Sequence, residues 1–115
     1  MFYIRHFTLE DMARAIIASN NQHRFPKLVA RARGLSIGIV ITPDKISYTT
    51  ARCDVVDVFN RKLGHNLVSQ REASAIEVPQ AIYDKLVRPS CKVDFTTLNP
   101  HLIMDTVASY LIARI

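Results

Sequence analysis

The side chains able to do covalent or metal chemistry are few: Cys53 and Cys91, and the histidines His6, His23, His65 and His101. A nucleophilic arrangement needs one of those thiols beside a histidine and an orienting acid. No histidine stands in a recognisable local signature, and Cys53 and His65 fall about three helical turns apart in a strand–helix unit, which opposes direct contact. Asp54 and Asp57, one turn apart, could hold a divalent metal for phosphodiester cleavage, making a small metal-dependent nuclease. The same two acids are equally an N-cap and a partner for a helix dipole. There is no Cys-x-x-Cys, His-Glu-x-x-His, Walker-type loop or Gly-x-Gly-x-x-Gly. The reading leans toward a protein that is not an enzyme, with no cofactor and no metal.

Charge offers a second chemistry. The 115-residue chain carries 15 Lys+Arg against 10 Asp+Glu, a net charge of +5. The imbalance is local. Residues 12–43 hold Arg14, Arg24, Lys27, Arg31 and Arg33 with no acid, whereas residues 44–77 are balanced. Asn20, Asn21, Gln22 and His23 lie in the same segment and can contact phosphate or base edges, with Phe25 between them as a stacking surface. Arginine predominates there, which suits bidentate contacts to phosphate. A solvated basic face neutralised from elsewhere in the fold is the competing account. A second cluster, Arg61, Lys62, His65 and Arg71, falls on the central helix, where Arg61, His65 and Asn66 share an outer face. Asp57 stands four residues before Arg61, in the favourable orientation for an ion pair, so a salt-bridged solvent face accounts for this cluster as well. The candidate nucleic-acid or partner-binding residues are therefore Arg24, Lys27, Arg31, Arg33, Arg61, Lys62 and His65.

The elements that must position these residues follow from periodicity and caps. Phe2 to Phe7 reads as a strand, and Thr8 caps a helix whose Met12 and Ile16 form an apolar stripe ending near Asn20-Asn21. His23 to Gly34 fits either a short helix opened by Pro26 or an extended segment. Leu35 to Thr42, Pro43-Asp44 and Lys45 to Cys53 form a β-hairpin, whose second strand alternates Ile46, Tyr48 and Thr50 against Lys45, Ser47 and Thr49, so that one face is wet. Asp54 caps a helix running to about Ser74, with Val56, Phe59, Leu63 and Leu67 inward. Val78-Pro79 starts a shorter helix carrying Ile82, Leu86 and Val87, and Lys92 to Thr97 is a brief strand. Asn99 caps a C-terminal helix begun by Pro100, with Ile103, Val107, Tyr110 and Leu111 at helical spacing. The expectation is one α+β domain over residues 1–115: a small antiparallel sheet built on the central hairpin, with three to five helices packed on one face. Tyr110, Leu111 and Ile115 exceed what one stripe buries and are compatible with a homodimer. Gly64 within a helix costs about 1 kcal/mol relative to Ala and asks for close approach of a strand or a partner backbone.

No apolar run approaches the roughly 18–20 residues of a membrane span, and the first residues lack a signal-peptide pattern. With Cys53 and Cys91 far apart, free thiols in a reducing cytoplasm are expected, and a single bridge remains an alternative.

The stretch Ala51-Arg52-Cys53 … Asp57-Val58-Phe59-Asn60-Arg61-Lys62-Leu63-Gly64 … Arg71-Glu72-Ala73 resembles a pattern in small uncharacterised bacteriophage proteins. There a hairpin strand ends in Cys, a helix follows, and Asp-x-Phe-x-Arg-Lys-x-Gly occupies its first turns. The match covers about a fifth of the chain, and it departs from the pattern at Asp54-Val55 and at His65. The resemblance implies a phage-borne accessory protein for host takeover or counter-defence, located in the host cytoplasm. Its partner would be nucleic acid, or a host protein that it inhibits or adapts.

Overall fold

A two-residue alternation in the second strand sets the architecture. Gly34, Ser36, Gly38 and Val40 point to one side, and Leu35, Ile37, Ile39 and Ile41 to the other. One side of the sheet is thus nearly flat and the other bulky. The computed structural model describes residues 2–18, 26, 33–53, 61–88 and 92–114. Among these, strands β1 (Phe2–Thr8), β2 (Gly34–Ile41), β3 (Ile46–Cys53) and β4 (Ile76–Glu77) form one antiparallel sheet in the order β1-β2-β3-β4. The helices are α1 (Leu9–Ala18), α2 (Arg61–Gln70), α3 (Gln80–Leu86) and α4 (Pro100–Ile112). The fold is α+β, built on the expected hairpin.

The bulky side carries the main core. Ile37, Ile39, Ile41 and Ile46 are buried with Met12 and Ile16 of α1, Ile82 of α3, and Ile103, Met104, Val107, Ala108 and Ile112 of α4. Each such side chain of isoleucine size contributes about 1.5–3 kcal/mol relative to exposure, so this face supplies most of the hydrophobic stabilisation. Local signals place its helices. Thr8 Oγ1 accepts from Asp11 N (3.1 Å) while Asp11 Oδ2 accepts from Thr8 N (3.0 Å), a reciprocal cap at the start of α1. Asn99 Oδ1 accepts from His101 N at 2.9 Å at the start of α4, with Pro100 as the first helical residue. The Tyr83 hydroxyl accepts from Ile46 N (3.0 Å) and donates to Glu77 Oε2 (2.8 Å), tying α3 to β3 and β4.

The helices do not share one face. Among the described helices α2 alone lies on the flat side, where a Cβ on Gly64 would overlap Ser36 Oγ and a Cβ on Gly38 would overlap Val68. Small residues on both partners are what allow this approach. Neither face of the second hairpin strand is simply wet: Ser47 and Thr49, on its polar side, are 6% and 7% exposed because they belong to the face that α2 covers. The inward residues of α2 are Gly64 and Val68, while Leu63 is 56% exposed. The helix is therefore rotated by one residue, about 100°, from the Leu63/Leu67 stripe that hydrophobicity predicts. Its helical bonds end at Gln70, and Glu72–Ser74 forms a single 3₁₀ turn.

Two further elements differ from expectation. Residues 76 and 77 add a fourth strand through Tyr48↔Ile76 and Ser47↔Glu77. Residues 95–97 of the expected Lys92–Thr97 strand form a 3₁₀ turn, because Asp94 Oδ1 accepts from Thr96 N at 2.9 Å and caps it. Tyr110 and Leu111 are half-buried against the core, and the Arg114 guanidinium stacks 3.5 Å over the Tyr110 ring. Those two residues of the surface offered for a homodimer are thus partly engaged inside the chain. Residues 23–32 and 54–60, on which a helix was expected, lie outside the described residues apart from Pro26, as does Ile115.

Candidate nucleic-acid interface

The register of β1 on β2 places His6 directly opposite Ser36, both pointing to the flat side of the sheet. His6 Nδ1 and Ser36 Oγ are 2.7 Å apart, and Ser36 is completely buried. Gly64 sits over this pair, and its absent side chain leaves the space that Ser36 Oγ fills. The next residue, His65, brings its ring to 6.5 Å from that of His6, centroid to centroid, at an interplanar angle of 45°. Arg61 stands one helical turn before His65 on the same exposed face. The His6 imidazole is held below its ordinary value of 6.5, first by burial and then by the charges of Arg61 and His65.

A serine hydroxyl at hydrogen-bond distance from an imidazole is the geometry of a nucleophile and its base. Here the hydroxyl is sealed beneath α2, where no substrate carbonyl can reach it. Ser36 orients His6 and joins the sheet to the helix. Among the described residues no group of three or more His, Cys, Asp or Glu side chains is placed to hold a metal ion.

The exposed face of α2 is polar apart from Leu63. Arg61, Lys62, His65, Asn66, Ser69 and Gln70 are all exposed, and the helix contains no acidic residue. Neither Arg61 nor Lys62 meets a carboxylate among the described residues; the Asp57–Arg61 pair expected from spacing lies outside them. The structure thus places Arg61, Lys62 and His65 on one helix, and adds His6 from β1.

The early basic segment is less uniform than its sequence. Arg14 pairs with Glu10 at 2.5 Å and with Asp11 at 3.5 Å, acids standing just before the acid-free stretch, so its charge is locally compensated. Arg33 is exposed immediately before β2. Arg24, Lys27 and Arg31 lie outside the described residues, as do Asp54, Asp57, Cys91 and the Cys53 side chain.

Sequence reasoning missed His6 and Ser36 as a pair. The usable signal was Gly64, whose helix-interior position asked for a closely approaching strand, and the small-residue alternation of β2, which supplies one. No family model, curated protein or solved structure matches the chain. No helix among the described residues is long and apolar enough to cross a membrane.

Proposed function

We propose that this protein binds nucleic acid without chemistry, as an accessory protein of the bacteriophage type, through the outer face of α2 together with the arginine-rich segment of its sequence. The observation that carries the reading is that face itself: six exposed cationic, imidazole, amide and hydroxyl side chains with no acid on the helix. Arg61 and Lys62 suit phosphate oxygens, and Asn66, Ser69 and Gln70 can hydrogen-bond to base edges. A protein target is the second reading, favoured by Leu63, an apolar side chain 56% exposed beside the basic pair.

Fluorescence anisotropy with labelled duplex DNA and single-stranded RNA, across a salt series, tests the first reading. Removing one side chain that neutralises a phosphate should lower the logarithmic salt slope by about 0.9 on duplex DNA. The double change Arg61→Glu, Lys62→Glu should weaken binding and flatten that slope, and Arg31→Glu, Arg33→Glu should do the same. Binding absent at low salt, or indifferent to both charge reversals, overturns the reading. A pull-down from host lysate with and without nuclease treatment separates the two partners. Capture of one host protein that survives nuclease, with no intrinsic nucleic-acid affinity, supports the second reading.

A further inference from the structure

Helical geometry sorts the exposed side chains of α2 into a crest and a flank. Successive residues turn by about 100° around a helix axis, so the positions farthest from the buried Gly64 and Val68 follow by counting. Asn66 stands about 180° from the midpoint of that buried pair, and Lys62 and Gln70, four residues to either side, lie within about 40° of the same direction. Arg61 and His65 fall instead on the flank toward His6 of β1. We propose that α2 reads duplex DNA by sequence, the crest row Lys62, Asn66 and Gln70 entering the major groove and meeting base edges there. This rests on the nucleic-acid reading and commits it to one form, a B-form duplex with a preferred sequence.

Each crest side chain matches a base edge. A terminal amide carries a donor and an acceptor side by side, the complement of adenine N7 and N6, and asparagine and glutamine both pair with adenine in this way. A lysine ammonium donates to guanine O6 and N7. Asn66 and Gln70 lie about 6 Å apart along the helix axis, and Lys62 and Gln70 about 12 Å, spans of about two and about four base-pair steps. The helix also fits the opening. Its diameter with side chains, about 10–12 Å, matches a groove about 12 Å wide. No other described helix lies on its side of the sheet to obstruct the approach. Double-stranded RNA fails the same measure, because side chains cannot read its narrow major groove. A single strand asks for aromatic rings on which to stack its bases, and α2 contains no Phe, Tyr or Trp.

The crest is also available. Lys62, Asn66 and Gln70 are exposed, and none of their side chains is engaged in a hydrogen bond or ion pair among the described residues. A helix facing only water gains from acid–base pairs four residues apart, as α1 does through Glu10 and Arg14. α2 carries no acid, so its positive charge is left for an anion outside the helix. Arg61 on the flank suits a phosphate of the groove wall. Position along the duplex thus comes from the flank, and discrimination between bases from the crest.

Selection of sites from a random duplex library, followed by competition anisotropy at fixed salt, tests the assignment. The selected duplexes should share a motif of about four base pairs that contains adenine. Replacing those adenines with 7-deazaadenine, which lacks the major-groove N7 acceptor, should weaken binding. Asn66→Ala and Gln70→Ala should each reduce the preference for the selected duplex over a scrambled one by at least about fivefold, the loss of one bidentate contact. Neither residue neutralises a phosphate, so the salt slope should stay as it is. Alanine favours helix at exposed positions, and circular dichroism checks that both variants keep the fold. Salt-dependent duplex binding with no preferred sequence, a preference that survives both substitutions, or indifference to 7-deazaadenine overturns the major-groove assignment and leaves the nucleic-acid reading standing. Tighter binding to single-stranded RNA than to any duplex does the same. Binding to neither nucleic acid at low salt overturns both.

Discussion

Replacing Gly64 with alanine sets local propensity against tertiary contact. In an isolated helix the change stabilises by about 1 kcal/mol, because Ala is the better helix former. In the folded protein the new methyl group overlaps Ser36 Oγ and lies 3.1 Å from Ser36 Cβ and 3.6 Å from His6 Nδ1. Ser36 is completely buried, so its hydroxyl has no solvent-side space to turn into. Overpacking of this kind costs about 1–3 kcal/mol. Displacing the hydroxyl also breaks the 2.7 Å bond to His6, worth about 1 kcal/mol. With the propensity gain subtracted, Gly64→Ala should destabilise by about 1–3 kcal/mol, a fall of roughly 4–12 °C in Tm for a domain of this size. Urea unfolding followed by circular dichroism measures it, with an unchanged m-value confirming that stability alone has moved. Adding Ser36→Gly removes both crowded atoms, and the double-mutant cycle should show a favourable coupling of about 1 kcal/mol or more. A stabilised Gly64→Ala variant, or no coupling to Ser36, would refute the placement of α2 on β2.

Three other substitutions test the opposite face and its edges. Thr8→Ala should cost about 1 kcal/mol by removing the reciprocal cap of α1. Its partner Asp11 is held below its ordinary 3.8, chiefly by the Thr8 N–H, so it contributes stability present above that value and lost as pH falls through the lower folded value. Asp11→Asn should flatten that acid limb in urea midpoints measured down the pH scale. Tyr83→Phe should cost about 1–2 kcal/mol by leaving Ile46 N and Glu77 without the hydroxyl. Burial foremost pushes the Tyr83 phenol up from 10 to about 12, so the folded state keeps a proton that the unfolded chain releases, and stability falls as pH rises across that window. The variant should lose this slope, and the native protein should show one of its four tyrosines titrating late by ultraviolet absorbance.

Much of the fold was legible wherever the deciding interaction is short in sequence. The hairpin is read from two alternating runs around Pro43-Asp44, and it forms with Ile41 opposite Ile46. The starts of α1 and α4 follow from Thr8 and Asn99, whose side chains cap backbone groups within three residues. The extra strand was not legible, because Ile76–Glu77 is two residues long and owes its existence to Ser47 and Tyr48. The Lys92–Thr97 segment was misread because the β-prone Val93, Phe95, Thr96 and Thr97 outweighed Asp94, whose single cap turns the chain.

The candidate site divides in the same way. The sequence by itself determined that Arg61, Lys62 and His65 share one helix, that the chain carries an acid-free arginine-rich segment, and that Gly64 needs a neighbour at close range. Spacing along one helix is enough for the first, and counting for the second. Only the tertiary structure decided which neighbour Gly64 meets, and that His6 and Ser36, 30 residues apart, stand side by side beneath it. It also turned Leu63 outward, against its hydrophobicity, because the helix seats where two backbones approach most closely. Periodicity reports which face of an element is apolar. Steric fit between glycine on the helix and serine and glycine on the strand decided which face went inward, and so which side chains surround His6.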